Sequence, residues 1–294
     1  MKTIRLMTFN IHSAIGRDEK VDVDRVVNVI ESADIIALQE VDNFWERSGN
    51  VSQVDLFTKA LPNWSHAWNP NIDLWKSPEL RRQYGNLLLS RFPVLSIKRH
   101  ALPKSVQSDQ LCLQCGVLEA IVAAPSGNIR VYATHVISSD SPAQIQRLME
   151  ICRSSLAEGA AISGSHYDAT WFEEPLPAAV PEATILLGDL NVRPGSREYH
   201  AITTTSIGKG GCQFIDAWAK SNQDLAPCAE RVSENDPGAT YYLDYDGKSG
   251  ERLDYCFVSS DISSRILSAD VLSDVDASDH QPLLVALDST TGQA

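Results

Sequence analysis

The sequence predicts an α/β protein, and three observations predict it. Segments of strand period and helix period alternate from one end of the chain to the other. The 294 residues are 43% hydrophobic and 21% charged, enough to bury a sizeable core with no disulfide staple. No internal repeat and no clean linker interrupts the alternation, and one large domain fits this length as well as two would. The same composition excludes a disordered chain, a collagenous fibre and a disulfide scaffold.

The elements follow in order. Ile4 to Phe9 reads as a strand. Asp22 is placed to cap a helix whose apolar residues Val23, Val26, Val27 and Ile30 fall at i, i+3, i+4 and i+7. Ile35 to Leu38 is the next strand, followed by strands at Leu87–Leu89, Val94–Ile97, Val117–Val122 and Ile129–Ala133. A second helix begins after Pro142, with Ile145, Leu148, Met149, Cys152 and Leu156 on one face. Strands at Thr184–Leu187, Leu253–Val258 and Leu283–Leu287 complete the pattern. One break stands out at 159–183, rich in Ala, Gly, Ser and Pro and too long for an ordinary connection. It reads as an insertion: a lid, a substrate-selecting loop, an oligomer contact or a passive surface segment. Tyr167, Trp171 and Phe172 inside it favour the lid.

Charge and cysteine usage narrow the function classes. Lys and Arg number 25 against 38 Asp and Glu, a net charge of −13. Nucleic-acid binders gain affinity by neutralising phosphates with cations, so an acidic chain disfavours that partner, while leaving room for a locally basic cleft. Arg81-Arg82 is a basic doublet ahead of the later chemistry-bearing strands, too little for a nucleic-acid track. Cys112-x-x-Cys115 is the only close pair of the six cysteines; zinc would want a second pair or nearby histidines, and the pair reads as buried thiols on a strand. Apolar runs such as Ile185-Leu186-Leu187 are too short to span a membrane, and no basic segment with an apolar run follows Met1. The default compartment is then the cytoplasm. Trp45, Trp64, Trp68 and Trp75 read mostly as core or loop packing, with one or two available as an apolar wall for a lipid or aryl substrate.

The chemistry gathers where apolar strands give way to polar residues: Phe9 to Asn10, Leu38-Gln39 to Glu40, Thr134 to His135, Gly188 to Asp189. A buried strand reaches the rim of its sheet at its end, so such residues can converge there. Carboxylates and amides suit hard cations such as magnesium, which want oxygen ligands. In Gly188-Asp189-Leu190-Asn191 a carboxylate and an amide stand two apart, on the same side if the backbone is extended. Asp254 sits inside an apolar strand, where an unpaired carboxylate is costly, and Asp279-His280 places an acid beside a base. Asp254 and His280 are expected to pair, the carboxylate orienting the imidazole and favouring its protonated form.

Seven motifs in order carry a resemblance: Thr8-Phe9-Asn10-Ile11-His12, Leu38-Gln39-Glu40-Val41, Gly85-Asn86 with Leu89-Ser90-Arg91, Thr134-His135, Gly188-Asp189-Leu190-Asn191, Arg252-Leu253-Asp254-Tyr255 and Ser278-Asp279-His280. The chain resembles the endonuclease/exonuclease/phosphatase superfamily over residues 4–287. Each motif alone is weak; their order is specific. The resemblance implies a four-layer α/β/β/α sandwich, two mostly antiparallel sheets with helices outside, as one domain over residues 1–294, and phosphoester hydrolysis dependent on Mg2+ or Mn2+. It implies Asn10 and Glu40 at the main metal site with Asp279 near it. Asp189 corresponds to the residue that activates or orients water, Asn191 to a phosphate-oxygen donor, and His280, held by Asp254, to the catalytic histidine. His135 matches the deoxyribonuclease I and sphingomyelinase members, where apurinic endonucleases carry Tyr, and could protonate an alkoxide leaving group. His12, Asn86 and Arg193 are candidate substrate-binding residues.

The leading expectation is a metal-dependent phosphodiesterase on a small-molecule or lipid-like phosphoester. A nuclease and a phosphomonoesterase are the alternatives. A non-catalytic binding module predicts a broken motif, and none of these is broken. No Gly-x-Ser-x-Gly and no Walker-type loop occurs, which leaves a serine hydrolase and a nucleotide-driven motor without support.

Overall fold

The computed structural model describes residues 3–106, 111–162, 180–223, 238–242 and 250–290. In chain order the strands are β1 (Thr3–Asn10), β2 (Ile35–Asn43), β3 (Ser65–Ser77), β4 (Leu80–Ser90), β5 (Val94–Ala101), β6 (Gly116–Ala124), β7 (Gly127–His135), β8 (Thr184–Asp189), β9 (Phe214–Asp216), β10 (Tyr241–Tyr242), β11 (Gly250–Glu251), β12 (Asp254–Ser259), β13 (Ile266–Val271) and β14 (Leu283–Asp288). The helices are α1 (Val23–Ile30), α2 (Gln53–Ala60), α3 (Ser141–Glu158), α4 (Arg197–Thr204) and α5 (Ala217–Ser221).

Two six-stranded sheets face each other, in the orders β13-β14-β1-β2-β4-β3 and β5-β6-β7-β8-β12-β9. Each is antiparallel except for one parallel pair, β1 with β2 and β7 with β8. Alternation along the strands divides the apolar side chains between layers. Leu6, Ala37, Leu88, Leu118, Val131, Leu187 and Val285 fill the space between the sheets. Met7, Phe9, Ile36 and Leu38 face outward under Val26, Ile30 and Phe57 of α1 and α2. On the far side Tyr132, Leu186, Tyr255 and Phe257 pack under Ile145, Leu148 and Cys152 of α3 and Ile202 of α4. Four layers result, the α/β/β/α sandwich that the resemblance implied.

Local chemistry agrees with this arrangement. Asp22 caps α1 by accepting from Arg25 N at 2.9 Å, as its position predicted. Ser52, Ser196 and Asp216 cap α2, α4 and α5 in the same manner. β3 escaped the sequence pattern because Pro70 and several polar residues break its alternation. It is an edge strand with a bulge between Pro70 and Ile72, where a proline removes no ladder bond that the sheet needs. Cys112-x-x-Cys115 is not on a strand: β6 begins at Gly116, and Gln114 ties the preceding loop by donating to Leu102 O and Cys115 O at 2.7 and 2.8 Å. Burial pushes the Cys115 thiol up to about 12, away from the thiolate that a metal or redox site needs.

The parallel pairs explain the rim. Strands that run the same way end at the same edge, so β1 and β2 deliver Asn10 and the Gln39–Glu40 bulge together, and β7 and β8 deliver His135 and Asp189. Antiparallel neighbours begin where these end, so Asp254 starts β12 opposite Asp189, and His280 precedes β14. The crossover through α3 returns to the opposite edge. There Ala161 N donates to Ser96 Oγ at 3.2 Å, Lys98 Nζ donates to Gly159 O at 3.1 Å, and Ala183 O accepts from Arg130 N at 2.9 Å. Both described ends of the 159–183 insertion thus lie away from the rim. Tyr167, Trp171 and Phe172, which favoured a lid, fall outside the described residues, as does Cys228. Among the described residues, no helix is long and apolar enough to cross a membrane.

Candidate active site

Asn10 is the brace at the centre of the rim. It is buried at the end of β1, and its Nδ2 donates to Glu40 Oε1 and to Asp189 Oδ2, each at 3.0 Å. Its Oδ1 accepts from His12 N at 3.0 Å, and its carbonyl accepts from Ser278 Oγ at 2.8 Å. One amide thereby joins both sheets and fixes two carboxylates. Glu40 does not end its strand. β2 runs on to Asn43, and Glu40 sits in a bulge between Leu38 and Val41 with φ of 60°. A bulge re-aims a side chain, and bulges gather beside functional sites.

The two histidines flank Asp189. His135 Nε2 lies 3.6 Å and His280 Nε2 3.8 Å from Asp189 Oδ2, with Glu40 Oε1 4.0 Å from His135. On its other nitrogen His280 Nδ1 meets Asp254 Oδ2 at 2.8 Å, the pair that the sequence predicted. Burial alone would depress the His280 pKa. The charges of Asp254 and Asp189, with the Asp254 hydrogen bond, overcome it and lift the imidazole to about 10. Burial and the Asp254 charge raise Asp189 to about 6, against the pull of His280, His135 and Asn10. Burial would also raise Glu40, but His135, the Asn10 hydrogen bond and His280 outweigh it and hold that carboxyl below its usual range.

Asp189 and Asn191 come to the same side by a turn rather than by an extended chain. Asn191 has φ of 48°, its N–H donates to Asp189 Oδ1 at 3.1 Å, and its Nδ2 donates to Val136 O at 2.9 Å, 3.4 Å from His135 Nε2. Gly188 permits the close approach of β7 and β8 beneath these residues, since a Cβ there would stand 2.2 Å from Thr134 O. Asp279 Oδ1 accepts from Ser278 Oγ at 3.2 Å and lies 3.5 Å from Nδ1 of the half-exposed His12. Two candidates stand apart. Asn86 is buried and donates to Gly116 O across the sheets at 3.1 Å, and Arg193 is paired with Glu251.

Thr240 and Tyr241 belong to the site and went unnoticed in the sequence, where no period or motif marks the segment around them. Thr240 Oγ1 accepts from Leu253 N and Asp254 N, each at 3.0 Å, and Thr240 O accepts from Gln281 N at 2.6 Å. One buried threonine thus clips the Asp254 strand to the His280 loop. The Tyr241 ring packs on the His280 ring at a centroid distance of 4.8 Å.

The donor set fits a divalent cation. Asp189, Asp254 and His280 each bring one ligand atom within 4.8 Å of the others, near enough to hold an ion. A protonated imidazole cannot ligate, however, and Asp254 already occupies Nδ1. Glu40 offers harder chemistry: it is ionised, and only its Oε1 takes a hydrogen bond among the described residues.

Comparison with known proteins agrees with the geometry. The sequence matches the endonuclease/exonuclease/phosphatase family over residues 7–280, and the chain belongs to that family. Family members are phosphoesterases and nucleases, generally dependent on divalent metal, which supports a hydrolase. No curated protein matches the sequence. Among solved structures, the fold is similar to that of an endonuclease/exonuclease/phosphatase from Bacteroides vulgatus, at 19% identity and TM-score 0.63, covering 98% of this chain and 99% of that one. A Beutenbergia cavernae family member has 21% identity and TM-score 0.62, with 98% and 72% covered. A mannosyl-6-phosphatase from Bacteroides thetaiotaomicron has 16% identity and TM-score 0.60, with 96% and 98% covered.

Proposed function

We propose that this chain acts as one catalytic domain, a divalent-metal-dependent phosphodiesterase on a small-molecule substrate. The observation that carries the reading is Asp189 held between two imidazoles, one of them charged by Asp254. A phosphodiester needs its charge offset, a water aimed in line and its leaving oxygen stabilised. Asp189, with a pKa lifted to about 6, is ionised at neutral pH yet basic enough to take a proton from an attacking water. His280 is protonated, and donates from Nε2 to a phosphoryl oxygen as negative charge builds there. Its own orientation is held by Asp254 at Nδ1 and by the Tyr241 ring. His135 stands on the other side of Asp189, placed to give a proton to the departing alkoxide. Asn191 is placed beside His135 to donate to a phosphoryl oxygen. Glu40 and Asp279 are the residues to hold Mg2+ or Mn2+, with Asn10 fixing the Glu40 carboxylate through Nδ2. The ion would supply Lewis-acid stabilisation of phosphoryl charge.

Two observations favour a small molecule over a lipid or a nucleic acid. Trp64 packs against the outer core and Trp45 lies between Arg47 and Arg82, so of the four tryptophans only the exposed Trp75 and the partly buried Trp68 remain, too little for a lipid-sized apolar wall. Arg81 is paired with Asp73, Arg82 stacks on Trp45 and Lys98 meets Glu119 and Glu158, which leaves the Arg99 guanidinium as a single cation rather than a basic track in this part of the protein.

The test is chelator-stripped protein with Mg2+ or Mn2+ restored, assayed on bis-p-nitrophenyl phosphate, p-nitrophenyl phosphate, p-nitrophenylphosphorylcholine and plasmid DNA. Metal-restored cleavage of the small diesters without nicking is expected. Preferential cleavage of the monoester, or nicking that rivals diester cleavage, would overturn the proposed specificity.

A further inference from the structure

Beside the catalytic rim, the open side of the sandwich carries a cleft of about 500 Å3. It lies between the edge strands β3 and β5, lined by Asn69, Pro70, Asn71, Arg99, Ala101 and Gln114 among others. That volume is within the range of small-molecule sites.

Register places the cleft next to the chemistry. Val117 pairs with Thr134, so Gly116 stands level with His135 on the neighbouring strand, about 5 Å away. Gly116 O is fixed by two hydrogen bonds of 3.1 Å, from Asn86 Nδ2 and from Thr134 Oγ1. Gly116 in turn supports the cleft: a Cβ on it would stand 2.5 Å from Asn71 Oδ1. Asn86, which sequence reasoning placed at the site, thus links the catalytic edge to this cleft.

The lining selects a chemistry. Asn69 Nδ2 donates to Asn71 Oδ1 at 3.0 Å, which leaves Asn71 Nδ2 and Asn69 Oδ1 without partners among the described residues. Gln114 spends Nε2 on backbone carbonyls, and its Oε1 takes no hydrogen bond among the described residues. Arg99 donates through Nε to Trp68 O at 2.9 Å, and its terminal amines have no partner among the described residues. Trp68, Pro70, Ala101 and Cys115 supply the apolar part of the lining and His100 is held by Glu119, while the polar part presents amide donors, amide acceptors and one guanidinium, with no carboxylate. An acyl chain would leave these polar groups unpaired, and a second phosphate would want cations where the amides stand. Hydroxyls donate and accept at once, as carboxamides do.

We propose that this cleft binds a polyhydroxylated group, a sugar or cyclitol, which forms the non-phosphate part of the substrate. The proposal rests on the phosphoesterase reading for its place in catalysis, but binding can be tested without turnover. Saturation-transfer NMR on the metal-free chain would use glucose, mannose, ribose and myo-inositol as probes, with hexanol as the apolar control. At least one polyol should give a signal that Asn71→Ala and Arg99→Ala each abolish, with melting temperatures unchanged. With Mg2+ restored, the same variants should lower kcat/KM roughly tenfold on a phosphoester of that polyol, and less than about twofold on bis-p-nitrophenyl phosphate. No polyol signal, a signal indifferent to both variants, or equal losses on both substrates would overturn the proposal. A signal sensitive to the variants in a chain that cleaves neither substrate would uphold the cleft and sink the phosphoesterase reading.

Discussion

Replacing Asp254 by Asn tests the electrostatic core of the site, because one substitution should move both limbs of the pH–rate profile. The Asp254 carboxylate lies 2.8 Å from His280 Nδ1 and is the main support for an imidazole pKa of about 10, against 6.5 for the free side chain. At pH 8 an imidazole of pKa about 10 is about 99% protonated and one of ordinary pKa about 3%, a thirtyfold difference. Asp189, 3.8 Å from Nε2, keeps part of the lift in the variant, so a loss of about three- to thirtyfold in kcat at pH 8 is expected. The sign is that of a group with a raised pKa: protonated His280 survives to high pH in the wild type and is lost earlier in the variant. The acid limb moves as well. Asp254 raises Asp189, so its removal should let Asp189 ionise at lower pH and extend activity into acid. Bound metal bears on wild type and variant alike, which makes the displacement of the limbs the observable. The assay is kcat for bis-p-nitrophenyl phosphate across the pH range, with a melting curve at each pH. A loss of equal size at every pH, with both limbs in place, would refute the charge argument and leave Asp254 only a geometric part.

Glu40→Gln should raise the Mg2+ concentration for half-maximal activity by about tenfold or more, since a neutral amide is a poorer ligand for a hard cation; an unchanged titration of chelator-stripped protein would count against Glu40 as ligand. Thr240→Val leaves the Leu253 and Asp254 N–H groups unsatisfied and should cost about 1–3 kcal/mol by denaturant unfolding, together with a fall in kcat. Thr240→Ser should restore both, and failure of that rescue would show that the methyl matters rather than the hydroxyl. Gly188→Ala forces a Cβ against Thr134 O and should destabilise by about 1–3 kcal/mol while depressing kcat, because the strained strands carry His135 and Asp189; full activity in the variant would contradict the close approach.

Much of the fold was legible because the strands that matter are buried on both faces and read as apolar runs, while α1 announces itself by Asp22 and four periodic apolar residues. The site was legible for a topological reason. Parallel neighbours put polar residues that end separate strands onto one edge, so Asn10, His135 and Asp189 could be picked out individually. Other features left no local trace. The bulge that aims Glu40 is a backbone event between β2 and β4, and the sequence reads it as a strand end. β3 hid behind Pro70. Thr240 acts through main-chain groups that are distant in sequence, and no side-chain pattern signals such a role. Asn191 was expected on the correct side for the wrong reason, since a left-handed residue replaces the extended chain.

The α3 crossover leaves and re-enters the second sheet at opposite ends, and that separates two kinds of evolutionary freedom. The described ends of that connection are tied at the edge opposite the candidate site, by Ser96, Lys98 and Arg130. The two attachment points thus make a natural port for joining a tag or a reporter, set on the strand ends opposite those that carry Asn10, His135 and Asp189.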